Sequence, residues 1–272
     1  MSAPAVALRP PSPAVVRAAR PHVVSDALTI AWRNILTLRR NPRLLVFATV
    51  QPVLFVIMFR YVFGGAIHVG GGVSYVNYLI PGIFAQTIVF GALNTGVGLA
   101  EDLQKGLIDR FRSLPMARSA VLVGRTLADL VRNGFAVVLM CVVGYLVGWR
   151  PSGSPLEVVG GIALVLGFAY SLSWLFAIVG LSVPDSETAQ AASFPVLAPL
   201  VFASSAFVPV SSMPGWLQAF AKHQPVSAVV NAVRALTLGG PVAGDVFTAL
   251  AWIVGIVAIC APIAVARYRR AV

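Results

Sequence analysis

EDLQKGLIDRFRSLPMAR, Glu101 to Arg118, is a charged stretch set between two long runs that are almost free of charge. A chain that lives in a bilayer yet keeps one ordered, charged, amphipathic segment between spans offers a docking surface to something in the cytoplasm. Leu103, Leu107, Phe111 and Leu114 recur at helical spacing, with Asp102, Lys105, Asp109 and Arg112 on other faces, so a short amphipathic helix is predicted, stopped by Pro115. Gly106 falls in its middle, costs about 1 kcal/mol relative to alanine and permits close approach of a partner backbone. An ordinary cytosolic loop with a solvated charge run fits the same pattern, and periodicity alone does not raise the helix above it.

The flanking runs set the class. Hydrophobic residues make up 58% of the 272, charged ones only 11%, and the mean hydropathy is +0.86, which is membrane-protein usage. Apolar runs near 44–63, 78–99, 131–147, 158–181, 189–208 and 246–266 each approach or exceed the roughly 20 residues that cross a bilayer core of about 30 Å. Six transmembrane helices are expected in an all-α integral membrane protein. The third run is shortest and is extended back to 125–147, with Arg125, Asp129 and Arg132 at the membrane edge in mutual i,i+4 and i,i+3 register.

A net charge of +11 raises nucleic acid as a partner, but the charge sits beside alternate span ends and no basic, aromatic-interleaved soluble domain exists. Seven arginines precede the first span, Lys105 and five arginines lie between Lys105 and Arg132, and Arg267, Arg269 and Arg270 close the chain. The opposite side holds Arg60, Arg150, Lys222 and Arg234. The positive-inside bias therefore puts both termini and the charged segment in the cytoplasm of a multi-pass protein of the cell membrane. Residues 1–24 carry five prolines, too many for a continuous apolar signal core, and are expected to be a disordered cytosolic tail ahead of one transmembrane domain over 25–272. Cys141 and Cys260 fall within spans and His22, His68 and His223 are scattered, so no disulfide framework, metal site or catalytic residue is assigned.

Residues 25–41, SDALTIAWRNILTLRRN, read as an interfacial helix capped by Ser25 or Asp26 and ended or kinked by Pro42. Leu28, Ala31, Trp32, Ile35 and Leu36 form its apolar stripe, and Thr29, Arg33, Thr37 and Arg40 the opposite face. A juxtamembrane anchor without further function fits equally. Between the fifth and sixth spans, residues 209–241 hold two short helices within 214–238. Neither can span, and a pair dipping into the outer leaflet is expected, with Trp216 at the interface and Arg234 snorkelling; a hairpin lying on the surface fits nearly as well.

Gly144 with Gly148, Gly91 with Thr95, and Gly167 with Ser171 repeat small-xxx-small spacing, and Pro195 with Pro199 must disturb the fifth span. Gln86, Asn94, Thr95, Ser204 and Ser205 are polar at membrane depth and could face a substrate path, although packing between helices is the commoner use. No ionisable residue occupies the middle of a span, which disfavours a proton-coupled carrier. The chain has no GxxxxGK[ST] phosphate loop, since its only lysines, Lys105 and Lys222, are followed by Gly106 and His223, so it is not expected to hydrolyse ATP by that route.

The arginine-rich helix, the six spans, EDLQKGLIDRFRSLP with its following ARSAVLVGR, and PGWLQAFAKHQPVSAVVNAVRAL together resemble a permease subunit of a type 2 ABC exporter. The pattern is most similar to the actinobacterial daunorubicin-resistance group, over about Ala27 to Arg270. That resemblance implies a permease homodimer working with two copies of a separate ATP-binding subunit, with ATP and Mg acting through that partner and no cofactor bound by this chain. Glu101 and Asp102 match the acidic start of the family's cytosolic motif, and Lys105, Gly106, Asp109, Arg110 and Arg112 match the body of its coupling helix. The family often has Glu-Lys-Gly or Glu-Arg-Gly where this chain has Gln104, Lys105 and Gly106. The connecting helix falls on Ser25 to Arg40, with Trp32, Arg33, Arg39 and Arg40, and the re-entrant outer helices on Pro214 to His223 and Val226 to Leu238. The implied cargo is a hydrophobic or amphipathic small molecule of antibiotic type. A polysaccharide or lipid exporter shares the architecture, while a secondary carrier would be expected to show inverted-repeat halves, which are not seen here; a non-transporting scaffold would stimulate no ATPase.

Overall fold

The computed structural model describes residues 28–34, 36, 42–67, 69, 72–106 and 118–271. All regular structure among them is helical. After a helical stretch at 28–34 come α2 (Pro42–Met58), which opens into a wider π turn at Phe59–Phe63, and α3 (Tyr75–Gln104). Then follow α4 (Arg118–Val147), α5 (Pro155–Gly180), α6 (Ser186–Phe202), α7 (Gly215–His223), α8 (Pro225–Leu238) and α9 (Val242–Ala271). The stretch 28–34 is α1 below. The expected tail 1–24, with Arg39, Arg40, Asp109, Arg110 and Arg112, lies outside the described residues.

Local chemistry places the helix ends. Ser74 accepts the Asn77 amide at the start of α3, and Ser154 with Glu157 forms a complete capping box ahead of Pro155. Asp185 accepts the Thr188 amide at 2.7 Å and opens α6. This hydrogen bond from a backbone N–H holds the Asp185 carboxyl below its usual range.

By length and composition α3, α5, Leu122–Val147 of α4 and Val242–Arg270 of α9 can each cross a membrane. Helices α2 and α6 have 17 residues each, about 25 Å of rise. Within this set α3 is the interior helix, touching α2, α4, α5, α6 and α8. Its most apolar window is 78% buried against 17% for that of α9, so α3 meets protein on nearly every face and α9 turns most of its apolar surface outward.

Glycines let α3 come so close. A Cβ on Gly180 of α5 would stand 2.8 Å from the Gly96 carbonyl carbon, and one on Gly82 2.6 Å from that of Ala206. Apolar contact gives no net drive for association in lipid, so close packing of this kind holds the bundle. The small-residue pairs read from the sequence divide in use. Gly144 packs on Ile80 of α3, whereas Gly148 has φ +105 and ends α4 with no side-chain neighbour in reach.

The buried side chains form two clusters. The larger gathers α3, α4, α5, α6 and α8 around Phe84, Phe168 and Phe176; the smaller joins Ile30 of α1 to Leu99, Leu122, Trp174, Cys260, Ala264 and Tyr268. The turn after α6 is stapled to α3, and the start of α8 to the end of α6. Tyr75 and Tyr78 hydroxyls donate to the carbonyls of Phe207 and Ser205 at 3.1 and 3.0 Å, and Gln224 Nε2 donates to those of Leu200 and Ala203 at the end of α6. Phe207 also stacks on Phe59 at 4.7 Å, tying in the π turn.

Arg234 corrects the sequence reading. Its guanidinium lies 3.5 Å from the centroid of the Tyr78 ring and donates to the carbonyls of Tyr78 and Ala206, both at 3.0 Å. It points into the bundle instead of snorkelling, because two backbone carbonyls and an aromatic face satisfy the cation there. Trp216 is 77% exposed on the bundle's surface.

Candidate functional site

The charged segment begins as the last turn of α3. Glu101 and Lys105 form an i,i+4 ion pair on the exposed side, and the hydrogen bond to Glu101 holds the Lys105 ammonium above its usual range. Gly106 has φ +63, and its amide closes onto the Leu103 carbonyl at 3.0 Å. It therefore stops α3, so Glu101 to Gln104 belong to the long helix and an amphipathic helix running unbroken through Gly106 is excluded. The sequence reading placed that glycine mid-helix because Leu103 and Leu107 keep helical spacing across it. Asp109, Arg110 and Arg112 follow in the undescribed part.

Asp102 points the other way from Glu101. Its carboxylate pairs with Arg125 of α4, and the positive charges of Arg33 and Lys105 also bear on it. The sequence read Arg125 as an i,i+4 partner of Asp129. Across the bundle it reaches Asp102 instead, while Asp129 pairs with Arg132 at 2.9 Å, the expected i,i+3 partner. Glycines make the room: a Cβ on Gly98 would stand 3.0 Å from Arg125 Cζ.

Three elements meet at this end of the bundle. Ile30 and Ala31 of α1 are buried, and Ile30 packs in the cluster containing Leu99 and Leu122. Leu28 and Trp32 are exposed, Trp32 at 62%, and Arg33 is exposed beside them. The apolar stripe drawn from sequence omitted Ile30, the residue that docks the helix; Leu28 and Trp32 form a second apolar face that stays exposed.

The five polar residues considered for a substrate path part company. Thr95 Oγ1 donates to Asp129 Oδ2 at 2.6 Å. Ser204 Oγ donates to the Val201 carbonyl at 2.6 Å, Ser205 Oγ donates to Asn231 Oδ1 at 3.0 Å, and Gln86 is enclosed with its Oε1 unpartnered. Asn94 alone of the five is exposed, its amide turned back to the Phe90 carbonyl. Among the described residues no group of three His, Cys, Asp or Glu side chains could hold a metal ion.

Residues 26–238 match the family model described as ABC-2 type transporter. The chain is 36% identical over 253 residues to a daunorubicin resistance ABC transporter permease protein of Streptomyces coeruleorubidus, covering 93% of this chain and 89% of that one. It is 29% identical over 225 residues to the "Probable doxorubicin resistance ABC transporter permease protein" of Mycobacterium tuberculosis, covering 82% and 81%.

Proposed function

This chain belongs to the ABC-2 type transporter family, and from that premise we propose that it is the membrane permease subunit of an ATP-driven exporter of hydrophobic or amphipathic small molecules of antibiotic type. The resistance permeases among its relatives support the cargo class. The observation that carries the mechanism is the charged last turn of α3, which Gly106 stops directly before the 107–117 segment.

That segment, with Glu101, Asp102, Lys105, Gly106, Asp109, Arg110 and Arg112, is the contact for a separate P-loop ATPase, two copies serving a permease homodimer. ATP and Mg act there through the partner. Closure of the ATPase pair pushes the segment and rocks the spans. Helices α2 and α6 join the four long helices as the first and fifth of six spans, with both termini cytoplasmic by the positive-inside bias. Residues Trp32, Arg33, Arg39 and Arg40 hold the interfacial helix at the inner leaflet, and α7–α8 dips into the outer one. The cargo route runs between the permease copies, along α2, α3 and α6. Exposed Leu54 and Ile57 on α2, Phe194 and Phe202 on α6 and Asn94 on α3 support that course.

Gentle extraction of tagged chain from native membranes tests the reading. A P-loop ATPase is expected to copurify near equal stoichiometry, with vanadate-sensitive hydrolysis stimulated by daunorubicin-like amphiphiles. Intact, monodisperse permease that reproducibly carries no ATPase overturns it.

A further inference from the structure

Two facing stripes join α3 to α4 just inside the segment that links them. Gly91, Thr95, Gly98 and Asp102 lie on α3 at i, i+4, i+7 and i+11, and Arg125, Asp129 and Arg132 on α4 at i, i+4 and i+7. Thr95 Oγ1 donates to Asp129 Oδ2 at 2.6 Å; Arg132 Nη1 meets Asp129 Oδ1 at 2.9 Å, and its Nη2 donates back across to the Gly91 carbonyl at 2.8 Å. Nearer the loop, Arg125 pairs with Asp102. Two acids offset two arginines, and Asp129 is only 6% exposed.

Depth fixes where this seam acts. Thr95 lies 20 residues from Tyr75, the outer start of α3, and a rise of about 1.5 Å per residue puts it near 30 Å along, at the inner edge of the hydrocarbon. Apolar contacts would hold the two helices here without fixing their register, since lipid tails compete for the same surfaces. Directional bonds do fix it. Sliding α4 by one residue, about 1.5 Å, carries the Asp129–Arg132 pair along but breaks its bonds to Thr95 and to the Gly91 carbonyl and pulls Arg125 from Asp102. The glycines serve the same seam: a Cβ on Gly91 would stand 3.0 Å from Asn133 Cγ, as one on Gly98 would from Arg125 Cζ.

We infer that Thr95, Asp129 and Arg132, with the Asp102–Arg125 pair, clasp α3 and α4 into one lever, so that a push on the segment between them reaches the outer side as a rigid tilt. This rests on the coupling reading above. The clasp residues are positioning residues that touch neither cargo nor nucleotide. Thr95 thereby leaves the set of residues considered for the substrate path.

The test uses the assembled permease–ATPase complex in proteoliposomes, with Cys141→Ser, Cys260→Ser and Trp216→Cys as background. Two quantities are read: ATP hydrolysis, and the change in maleimide labelling at position 216 on vanadate trapping. Thr95→Val keeps shape and removes the hydroxyl. It is expected to keep stoichiometry and hydrolysis while the ATP-driven labelling change falls about tenfold, within the usual range of coupling energies. Thr95→Ser restores the change. Asp102→Arg and Arg125→Asp each lose it, and the double exchange regains it, which carries the test should Thr95→Val fail to accumulate. Variants that assemble, hydrolyse and respond like the parent overturn the clasp alone, as does a parent that hydrolyses ATP with no change at position 216. A parent that binds no ATPase overturns the coupling reading beneath it.

Discussion

Gly180→Ala sets two known effects against each other. In an open helical position the change gains up to about 1 kcal/mol of helix propensity. Gly180, however, faces the backbone of Gly96 on α3: the new Cβ would stand 2.8 Å from the Gly96 carbonyl carbon, where ordinary contact begins at 3.4 Å, a deficit of 3.4 − 2.8 = 0.6 Å. Both sides are main chain, so no rotamer relieves it and the helices must separate. A gap of 0.5–1 Å forfeits about a quarter to a half of each dispersion contact, and α3–α5 is a principal seam of the bundle. Overpacking of this kind costs about 1–3 kcal/mol, so the clash wins over propensity. Gly160, on the same helix with nothing within 4 Å, supplies the control. Heating detergent-extracted protein and reading the surviving monodisperse peak should separate Gly180→Ala, below the parent, from Gly160→Ala, at or above it, by on the order of 10 °C. Gly96→Ala, against Phe176, should behave like Gly180→Ala. If both melt with the parent, the close approach of α3 and α5 is wrong.

Arg234→Met removes two carbonyl hydrogen bonds and the stack on Tyr78, and should lower the thermal midpoint by the equivalent of about 2 kcal/mol while exposing the 203–214 turn to protease; Arg234→Lys should not restore it, since a point charge cannot bridge both carbonyls. Gly106→Ala forces a side chain into φ +63 at a cost of about 1 kcal/mol and should weaken ATPase copurification more than overall stability. Asp185→Ala removes the cap of α6 and should lower the midpoint at neutral pH. The native carboxyl is held below its ordinary 3.8, so its contribution is full above that value and is lost as pH falls through the depressed one; parent and variant midpoints should converge in acid.

Much of this protein is legible in one dimension. The length of an apolar run is a property of composition, so an all-helical, multi-pass chain with four long apolar helices follows from residue counts. The two short helices after Pro214 and Gln224 are likewise local chemistry, settled within a few residues. Gly106 escaped because its neighbours keep helical spacing while its own backbone does not.

What the sequence could not assign is who meets whom. In a soluble helix the apolar stripe marks the buried face, but in α3 and α9 nearly every face is apolar, and lipid serves as well as protein. Only the assembled bundle decides that α3 is enclosed and α9 is not, that Gly96 meets Gly180, and that Ile30 docks α1. Charge follows the same logic. Arg125, Asp129 and Arg132 can be paired on paper along one helix, yet the partner of Arg125 is Asp102, 23 residues away on α3. Sequence spacing says which side chains share a face; the crossing of two helices says what that face finds there.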